Sequence, residues 1–344
     1  MGFRSEDFLS RFLPGKRKKE CVGIDIGYDE VRAVQVRALK SGPEVVAVGS
    51  VKAPPQTVDD LEEEALTEAL VSLEEQFDFS SNWVVTAIRG AEVVERLVRL
   101  PVMPERELAG ALKWEAEQLF PFPLDEMILR HVVLGRVQEG GEKQLNVLLV
   151  AAPFKTVQKY HRSFTNAGFR LAVIDLPALA LWRLFFGLKN KRYAGGNFAV
   201  LDLGEQVTRF LAAGDGELLY TRSLRVGLQG ESFLEAAPAG AAAEHQQRTY
   251  EIPAGDLSSL ILEVKRSLEY FQGQFKDKQI QKLLLCGPAS SAKELPAALS
   301  AKFELEVEIA KPAPAFEEFF TAGRAEFNPG LAVAAGLALS EVIG

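Results

Sequence analysis

Residues 21–37 read CVGIDIGYDEVRAVQVR, a pattern from which the fold can be inferred. An apolar run ends at Asp25 and Gly27, a turn follows, and an alternating pattern then resumes, which is typical of a β-hairpin. An aspartate at the end of a buried strand, followed by a glycine turn, presents a carboxylate and backbone N–H groups to metal and phosphate. The turn itself (Tyr28, Asp29 and Glu30) carries no positive charge. Its position therefore predicts a phosphate-binding hairpin, but its side chains are unsuited to holding phosphate strongly.

A second copy of this pattern lies about 180 residues further along the chain. Residues 198–224 read FAVLDLGEQVTRFLAAGDGELLYTRSL, again a strand ending in Asp-x-Gly, a polar turn and two further strands. Asp202 corresponds to Asp25. A repeat of this length indicates a duplicated domain rather than a solenoid.

The two hairpins and a later strand, 280–290, predict a central cleft for ATP and Mg²⁺. Mg²⁺ dehydrates reluctantly and would bind near the two aspartates, largely through water. Each aspartate can also be a strand-end residue that only caps its turn, and no residue is singled out as a catalytic base. The candidate metal ligands are Asp25 and Asp202, and the candidate nucleotide-binding residues are Asp25, Gly27, Tyr28, Asp29, Asp202, Gly204, Glu205, Thr208, Gly287 and Pro288.

Residues 89–168 follow a different order, β-α-β-β-α, which predicts an inserted unit. Its first helix is expected over 105–120 and stops at Pro121-Phe122-Pro123. The expected apolar stripe is Leu108, Leu112, Ala116 and Leu119, with Glu115 inside it and Trp114 outside.

Two interpretations remain open for each of these two side chains. If Glu115 is buried, its carboxylate needs a partner. That partner is either part of the chain, namely Arg99 or the turn at Phe122, or a bound peptide. Trp114 either packs against the first domain or forms one wall of a peptide-binding surface.

The composition is that of an ordinary globular chain. The 344 residues carry a net charge of −8 with 25% charged residues, so no nucleic-acid partner is expected.

The longest apolar run, 145–154, is too short to span a membrane, and the N-terminus lacks the apolar core of a signal peptide, so a cytoplasmic location is expected. Residues 1–19 combine an amphipathic segment with a basic run; they predict either peripheral membrane contact or a tail docked on its own domain. Cys21 and Cys286 are expected to be buried thiols.

Several segments of the chain match one known family. The most specific match is LPVMPERELAGALKWEAEQLFPFPLDEMIL at 100–129. The other matching segments are GIDIG (23–27), VVTAI (84–88), VAAPFKTVQKYHRSFTNAGFRLAVIDLPALAL (150–181), LEVKRSLEYF (262–271) and NPGLAVAAGLAL (328–339). In these segments the chain resembles the PilM family of type IV pilus assembly proteins, which is akin to the cytoplasmic part of the type II secretion GspL proteins.

This resemblance implies an α/β fold of the actin-like (RNase H-like) type, with duplicated domains and an inserted α+β subdomain also found in the division protein FtsA. The expected organisation is a tail (1–19), a first domain (20–88 and 169–190), the inserted subdomain (89–168) and a second domain (191–344) with an abbreviated nucleotide-capping region near 228–256.

The resemblance also implies a cytoplasmic scaffold at the inner face of the inner membrane, which binds ATP. It would dock the N-terminal cytoplasmic peptide of a bitopic inner-membrane partner, PilN, between the insert and the first domain. The expected partner-binding residues are Met103, Trp114, Glu115, Pro121, Phe122 and Pro123.

The turns depart from the family's pattern. Tyr28, Asp29 and Glu30 replace small, Ser-rich residues, and Pro288 replaces a glycine and removes one N–H donor. Efficient ATP hydrolysis is therefore not expected, and ATP binding stays open. The alternatives are an ATP-hydrolysing enzyme or kinase of the same fold, the equivalent component of a type II secretion system, and a filament-forming protein.

Overall fold

The computed structural model describes residues 18–40, 42–54, 62–77, 79–90, 93–120, 122–139, 141–187, 190–228, 252–314, 316–317 and 327–342. Most of the 1–19 tail and of the 228–256 region therefore lies outside the described residues.

The first sheet has the strand order β3-β2-β1-β4-β8. Its first three strands pair antiparallel, whereas β4 pairs parallel with β1 and β8 parallel with β4. These strands are β1 (Glu20–Ile26), β2 (Glu30–Leu39), β3 (Gly42–Lys52), β4 (Trp83–Ala87) and β8 (Arg170–Asp175).

The second sheet repeats this arrangement, with the order β11-β10-β9-β12-β13 and the same strand directions. The duplication predicted from the two Asp-x-Gly hairpins is thus confirmed. The strands are β9 (Asn197–Leu203), β10 (Thr208–Gly214), β11 (Glu217–Leu224), β12 (Lys282–Cys286) and β13 (Glu306–Ile309).

Among the described residues, the α-helices follow the apolar periodicity of the sequence. They are α1 (Glu63–Gln76), α2 (Glu105–Leu119), α3 (Phe154–Asn166), α4 (Pro177–Phe185), α5 (Ala254–Gln274), α6 (Leu295–Phe303) and α7 (Ala332–Val342).

One hydrophobic core joins the two sheets. Helix α7 packs on β1, β2 and β4, while α4 packs on α7 and on β10. The buried cluster around these two helices includes Cys21 of the first sheet and Cys286 of the second. The two lobes therefore share their interior rather than meeting only at a hinge.

The insert is a three-stranded antiparallel sheet of order β5-β7-β6, made of β5 (Val94–Pro101), β6 (Met127–Glu139) and β7 (Glu142–Pro153). Leu108, Leu112 and Ala116 of α2 are buried in its core, as predicted. The prediction for Leu119 is wrong: it is 39% exposed, because the helix ends there and Phe120 takes the core position instead.

Helix α3 was predicted as the last element of the inserted unit. Its buried residues, among them Tyr160 and Phe164, lie in the same cluster as Leu66 and Leu70 of α1. The core of α3 is thus continuous with that of the first sheet. The proposed domain boundaries, including the one at residue 168, stay predictions.

The insert contacts the second lobe as well as the first. Asn146 on β7 is buried and donates a hydrogen bond from Nδ2 to the carbonyl of Leu219, at 3.1 Å. Arg99 on β5 donates to the carbonyl of Gln274, at 3.2 Å. The inserted sheet therefore contacts both lobes.

Candidate functional site

The first hairpin holds Asp25 against an arginine. Asp25 is 4% exposed at the end of β1, and Arg89, which follows β4, donates to its Oδ1 from Nη2 at 2.8 Å and from Nε at 3.2 Å. Burial acts to lower the pKa of Arg89, but the charges of Asp25 and Asp202 outweigh it and raise this pKa. The guanidinium is therefore a fixed cation that interacts with the predicted metal ligands of both lobes.

The acidic turn folds back on a second arginine. Nη2 of Arg32 lies 3.1 Å from Asp29 Oδ1, and its Nε lies 3.1 Å from Glu30 Oε2. The N–H of Gly27 donates to the carbonyl of Glu30 at 2.9 Å. The carboxylates that would repel phosphate are thus neutralised within the turn, and one of its N–H donors is already used.

The second hairpin repeats the Asp–Arg arrangement. Asp202 is 6% exposed, and burial raises its pKa. Arg209 stands opposite it in the β9–β10 register, as Arg32 stands opposite Asp25 in β1–β2. Nη2 of Arg209 contacts Ser223 Oγ at 3.1 Å and lies 3.7 Å from Oε1 of Glu95 in the insert.

The remaining residues of the second turn are held by local contacts. The carbonyl of Gly204 accepts a hydrogen bond from the N–H of Leu228 at 3.0 Å. The backbone of Glu205 lies against Gly227. Thr208 is fully buried at the start of β10.

The third turn lies directly behind Asp202, as the order of motifs predicts. Gly287 has φ +85°, and a Cβ there would lie 2.7 Å from Asp202 Oδ1 and 2.6 Å from the N of Leu203, so only glycine fits. Its N–H donates to the carbonyl of Pro329 at 3.0 Å. Pro288 begins a short 3₁₀ turn, Pro288–Ser291.

These residues do not fit a Mg²⁺ ion between the two aspartates. Mg²⁺ requires near-ideal octahedral oxygen coordination, usually from one or two carboxylates and water. Here Oδ1 of Asp25 accepts both bonds from Arg89, and the positive charges of Arg89, Arg209 and Arg32 all act on Asp202. In the part of the chain that the structure describes, no group of three or more His, Cys, Asp or Glu side chains could hold a metal ion.

Sequence reasoning missed Arg89 and Arg209. One signal was present, because an arginine follows the aspartate by seven residues in both hairpins, at Arg32 and Arg209. No comparable pattern marks Arg89, which lies in the connection between β4 and the insert.

The predicted partner-binding residues lie on and beside α2. Trp114 is 61% exposed, and the Phe122 ring stacks on that of Phe120 with 5.4 Å between centroids. Glu115 and Met103 are half-buried. A pocket of about 410 Å³ is lined by Lys113, Glu117, Phe122, Pro123, Leu124 and Asp125. Pro121 lies outside the described residues.

The first described residue is held by both backbone and side chain. The N–H of Lys18 donates to the carbonyl of Glu341 at 3.2 Å, and Lys18 Nζ lies 3.5 Å from the centre of the Trp83 ring. Within the described ranges, no helix is long and apolar enough to cross a membrane.

Two sheets of the same order, each with an Asp-x-Gly hairpin facing a common cleft, define an actin-like fold. A protein of actin-like ATPase fold and unknown function from Bacteroides thetaiotaomicron aligns with 89% of this chain and 95% of its own, at 12% identity and a TM-score of 0.50. A chain of the solved PilM-PilN type IV pilus biogenesis complex also aligns with this protein, at 26% identity and a TM-score of 0.78. The alignment covers 95% of this chain and 100% of the matched chain in the complex.

A family profile described as type IV pilus assembly protein PilM matches residues 23–342. The chain belongs to this family.

Proposed function

We propose that the chain is a scaffold of a type IV pilus assembly platform, at the cytoplasmic face of the inner membrane. It docks the N-terminal tail of a PilN-like bitopic membrane protein. The observation that carries this proposal is the likeness to the solved PilM-PilN complex over 95% of the chain, together with membership of the family.

The proposed docking surface consists of Met103, Trp114, Glu115, Phe122 and Pro123. Trp114 leaves 61% of its side chain open to solvent, and binding hot spots are enriched in tryptophan. Phe122 and Pro123 line the neighbouring pocket, whose other side chains include Lys113 and Glu117. An extended peptide with one apolar anchor and flanking polar residues matches this combination.

Fluorescence anisotropy with a labelled N-terminal peptide of the PilN-like protein from the same organism tests the proposal. Trp114→Ala and Phe122→Ala should each weaken binding by about 2 kcal/mol, roughly thirtyfold in Kd, because each removes an aromatic contact. Leu262→Ala is the matched control, since Leu262 is a 49% exposed apolar residue on α5 and should leave the affinity unchanged.

Failure of the wild-type chain to bind the peptide would refute the scaffold proposal. Unchanged affinity in both aromatic variants would instead place the peptide elsewhere on the chain.

The cleft supports a structural role more strongly than ATP hydrolysis. Asp25 is already paired with Arg89, Asp29 and Glu30 are paired with Arg32, and N–H groups of its turns are already used within the chain. ATP binding stays a prediction, as does peripheral membrane contact through residues 1–19.

A further inference from the structure

A second pocket, of about 660 Å³, lies where the insert faces the hairpins and the second lobe. Of the predicted nucleotide-binding residues, Tyr28 lines it; Gly287 and Pro288 are not among its described lining residues. Its charged lining residues are Arg89, Arg96, Arg209, Arg222, Arg225 and Glu95.

The charges of this lining do not cancel. Arg89 is paired with Asp25, and Arg222 with Glu263 at 3.1 Å. Glu95 is the single acidic residue among the described lining residues, and its Oε1 lies 3.7 Å from Arg209. Arg96 and Arg225 add two further positive charges, so the pocket keeps a net positive charge that an anionic ligand would balance.

Arg209 and Thr221 in the lining have buried donor atoms without hydrogen-bond partners among the described residues, and Oε2 of Glu95 is a buried acceptor that likewise lacks one. Arg209 is 5% exposed, and its Nε and Nη1 have no partner among the described residues. Thr221 is 7% exposed, and the same holds for its Oγ1. Leaving these donors buried and unsatisfied is unfavourable, and acceptor oxygens in the pocket would satisfy them. Burial also lowers the pKa of Arg209, and a bound anion would oppose that effect.

We propose that this pocket binds an inorganic phosphate oxyanion, with diphosphate as the probe, without a divalent cation. Guanidinium groups match phosphate oxygens in bidentate geometry, and Thr221 Oγ1 supplies a neutral donor. Arg89 and Arg209 supply the charge that a metal ion would otherwise provide. A volume of about 660 Å³ is large enough to hold diphosphate. This inference does not depend on the pilus assignment.

Isothermal titration of the full chain with diphosphate, ADP and ATP in EDTA, at constant ionic strength, tests the site. Saturable binding at one site per chain is expected without Mg²⁺. Similar affinities for diphosphate and ATP would identify the free oxyanion as the ligand. An affinity for ADP or ATP at least tenfold higher would assign the binding to the nucleotide cleft predicted from the sequence and would overturn the proposal.

Isosteric variants separate the site from general charge effects. Thr221→Val should weaken binding severalfold, whereas Glu95→Gln should tighten it severalfold because it removes the opposing carboxylate. The double variant Glu95→Gln/Arg209→Gln, which leaves neither partner of that pair charged, should lose at least tenfold. Arg106→Gln is the control, since that side chain is 84% exposed on α2 and outside the pocket.

The proposal is overturned if no anion binds in EDTA, if binding requires Mg²⁺, or if Glu95→Gln and Thr221→Val leave the affinity of the folded protein unchanged. Circular dichroism of each variant confirms that it is folded.

Discussion

Arg89 determines the chemistry of the cleft although it belongs to neither hairpin. It contacts Asp25 at 2.8 Å and acts electrostatically on Asp202, so a single side chain supplies positive charge to both halves of the duplicated fold. Asp25 is buried and the Arg89 side chain is only 15% exposed, so removing either one would leave the other as a charge without its partner in a largely water-excluded place.

Arg89→Gln should therefore destabilise the chain by about 3–5 kcal/mol, because it leaves Asp25 buried without its ion-pair partner. The double variant Arg89→Gln/Asp25→Asn should recover most of this loss, since two neutral amides remain. Urea unfolding measures both free energies.

Lys265→Gln provides the comparison for that measurement. Lys265 and Glu269 form an exposed pair on α5 at 3.7 Å, so breaking it should change stability by less than about 0.5 kcal/mol. An Arg89→Gln effect no larger than this would show that the buried pair is not what holds Asp25.

The positions of Asp25 and Asp202 could be predicted because the repeat places both at the ends of buried strands. Their partners could not be predicted to the same degree. Arg209 follows from comparing the two hairpins, whereas the contact of Arg89 depends on how the β4 connection turns toward the cleft, which no local pattern encodes.

Helix α7 packs unusually close to β1. A Cβ on Gly23 would overlap the carbonyl oxygen of Ala334, and a Cβ on Gly336 would overlap that of Ala180 on α4. The Ala- and Gly-rich composition of α7 allows this close packing, and β1 and α4 are its neighbours.

Gly23→Ala should destabilise the chain by about 1–3 kcal/mol or more, since the added methyl group must push α7 away from β1. Gly110→Ala is the matched control. Gly110 lies in the exposed interior of α2 with no atom within 4 Å of an added Cβ, so the change should stabilise by about 0.5–1 kcal/mol.

Thermal and urea unfolding of the two glycine variants give the measurement. If Gly23→Ala leaves the stability unchanged, the interface between β1 and α7 can relax. The close approach of the two elements would then not require glycine at this position.

The ends of the helices and strands were harder to predict from the sequence than their presence. The period of α2 predicted four buried positions, but it cannot show where the chain leaves the helix, and so Leu119 was placed wrongly. The position of Trp114 outside the apolar stripe was predicted correctly, because it lies well inside the helix where the period holds.

The shared core makes the two lobes one cooperative body. Cys21 and Cys286 lie in the same buried cluster, although they belong to different sheets. Burial raises the pKa of Cys21 to about 12 and that of Cys286 well above its usual value. Both thiols should therefore be protonated and inaccessible in the native chain.

A disulfide-exchange reagent at pH 8 should leave both thiols unmodified in the native protein and modify both of the chain's two cysteines in urea. In single-cysteine variants, Cys21→Ala and Cys286→Ala, the remaining thiol should become reactive at the urea concentration where helical circular dichroism is lost. A thiol that reacts well before that transition would show that the lobes separate first.

The duplicated fold could be predicted from two short motifs, because a hairpin that recurs at domain-length spacing indicates that a whole lobe has been duplicated. The placement of the insert across both lobes could not, because it depends on long-range contacts such as that of Asn146 with Leu219, whose residues carry no distinctive pattern.

The hydrogen bond from Asn146 has a consequence for association between chains. β11 is the edge strand of the second sheet, and unpaired edge strands are templates for pairing with other chains. The insert covers part of that edge, since β5 and β6 contact β11 and Asn146 binds one of its carbonyls. A chain with the insert excised would expose this edge and tend to aggregate, so the insert protects the solubility of the lobe that it does not belong to.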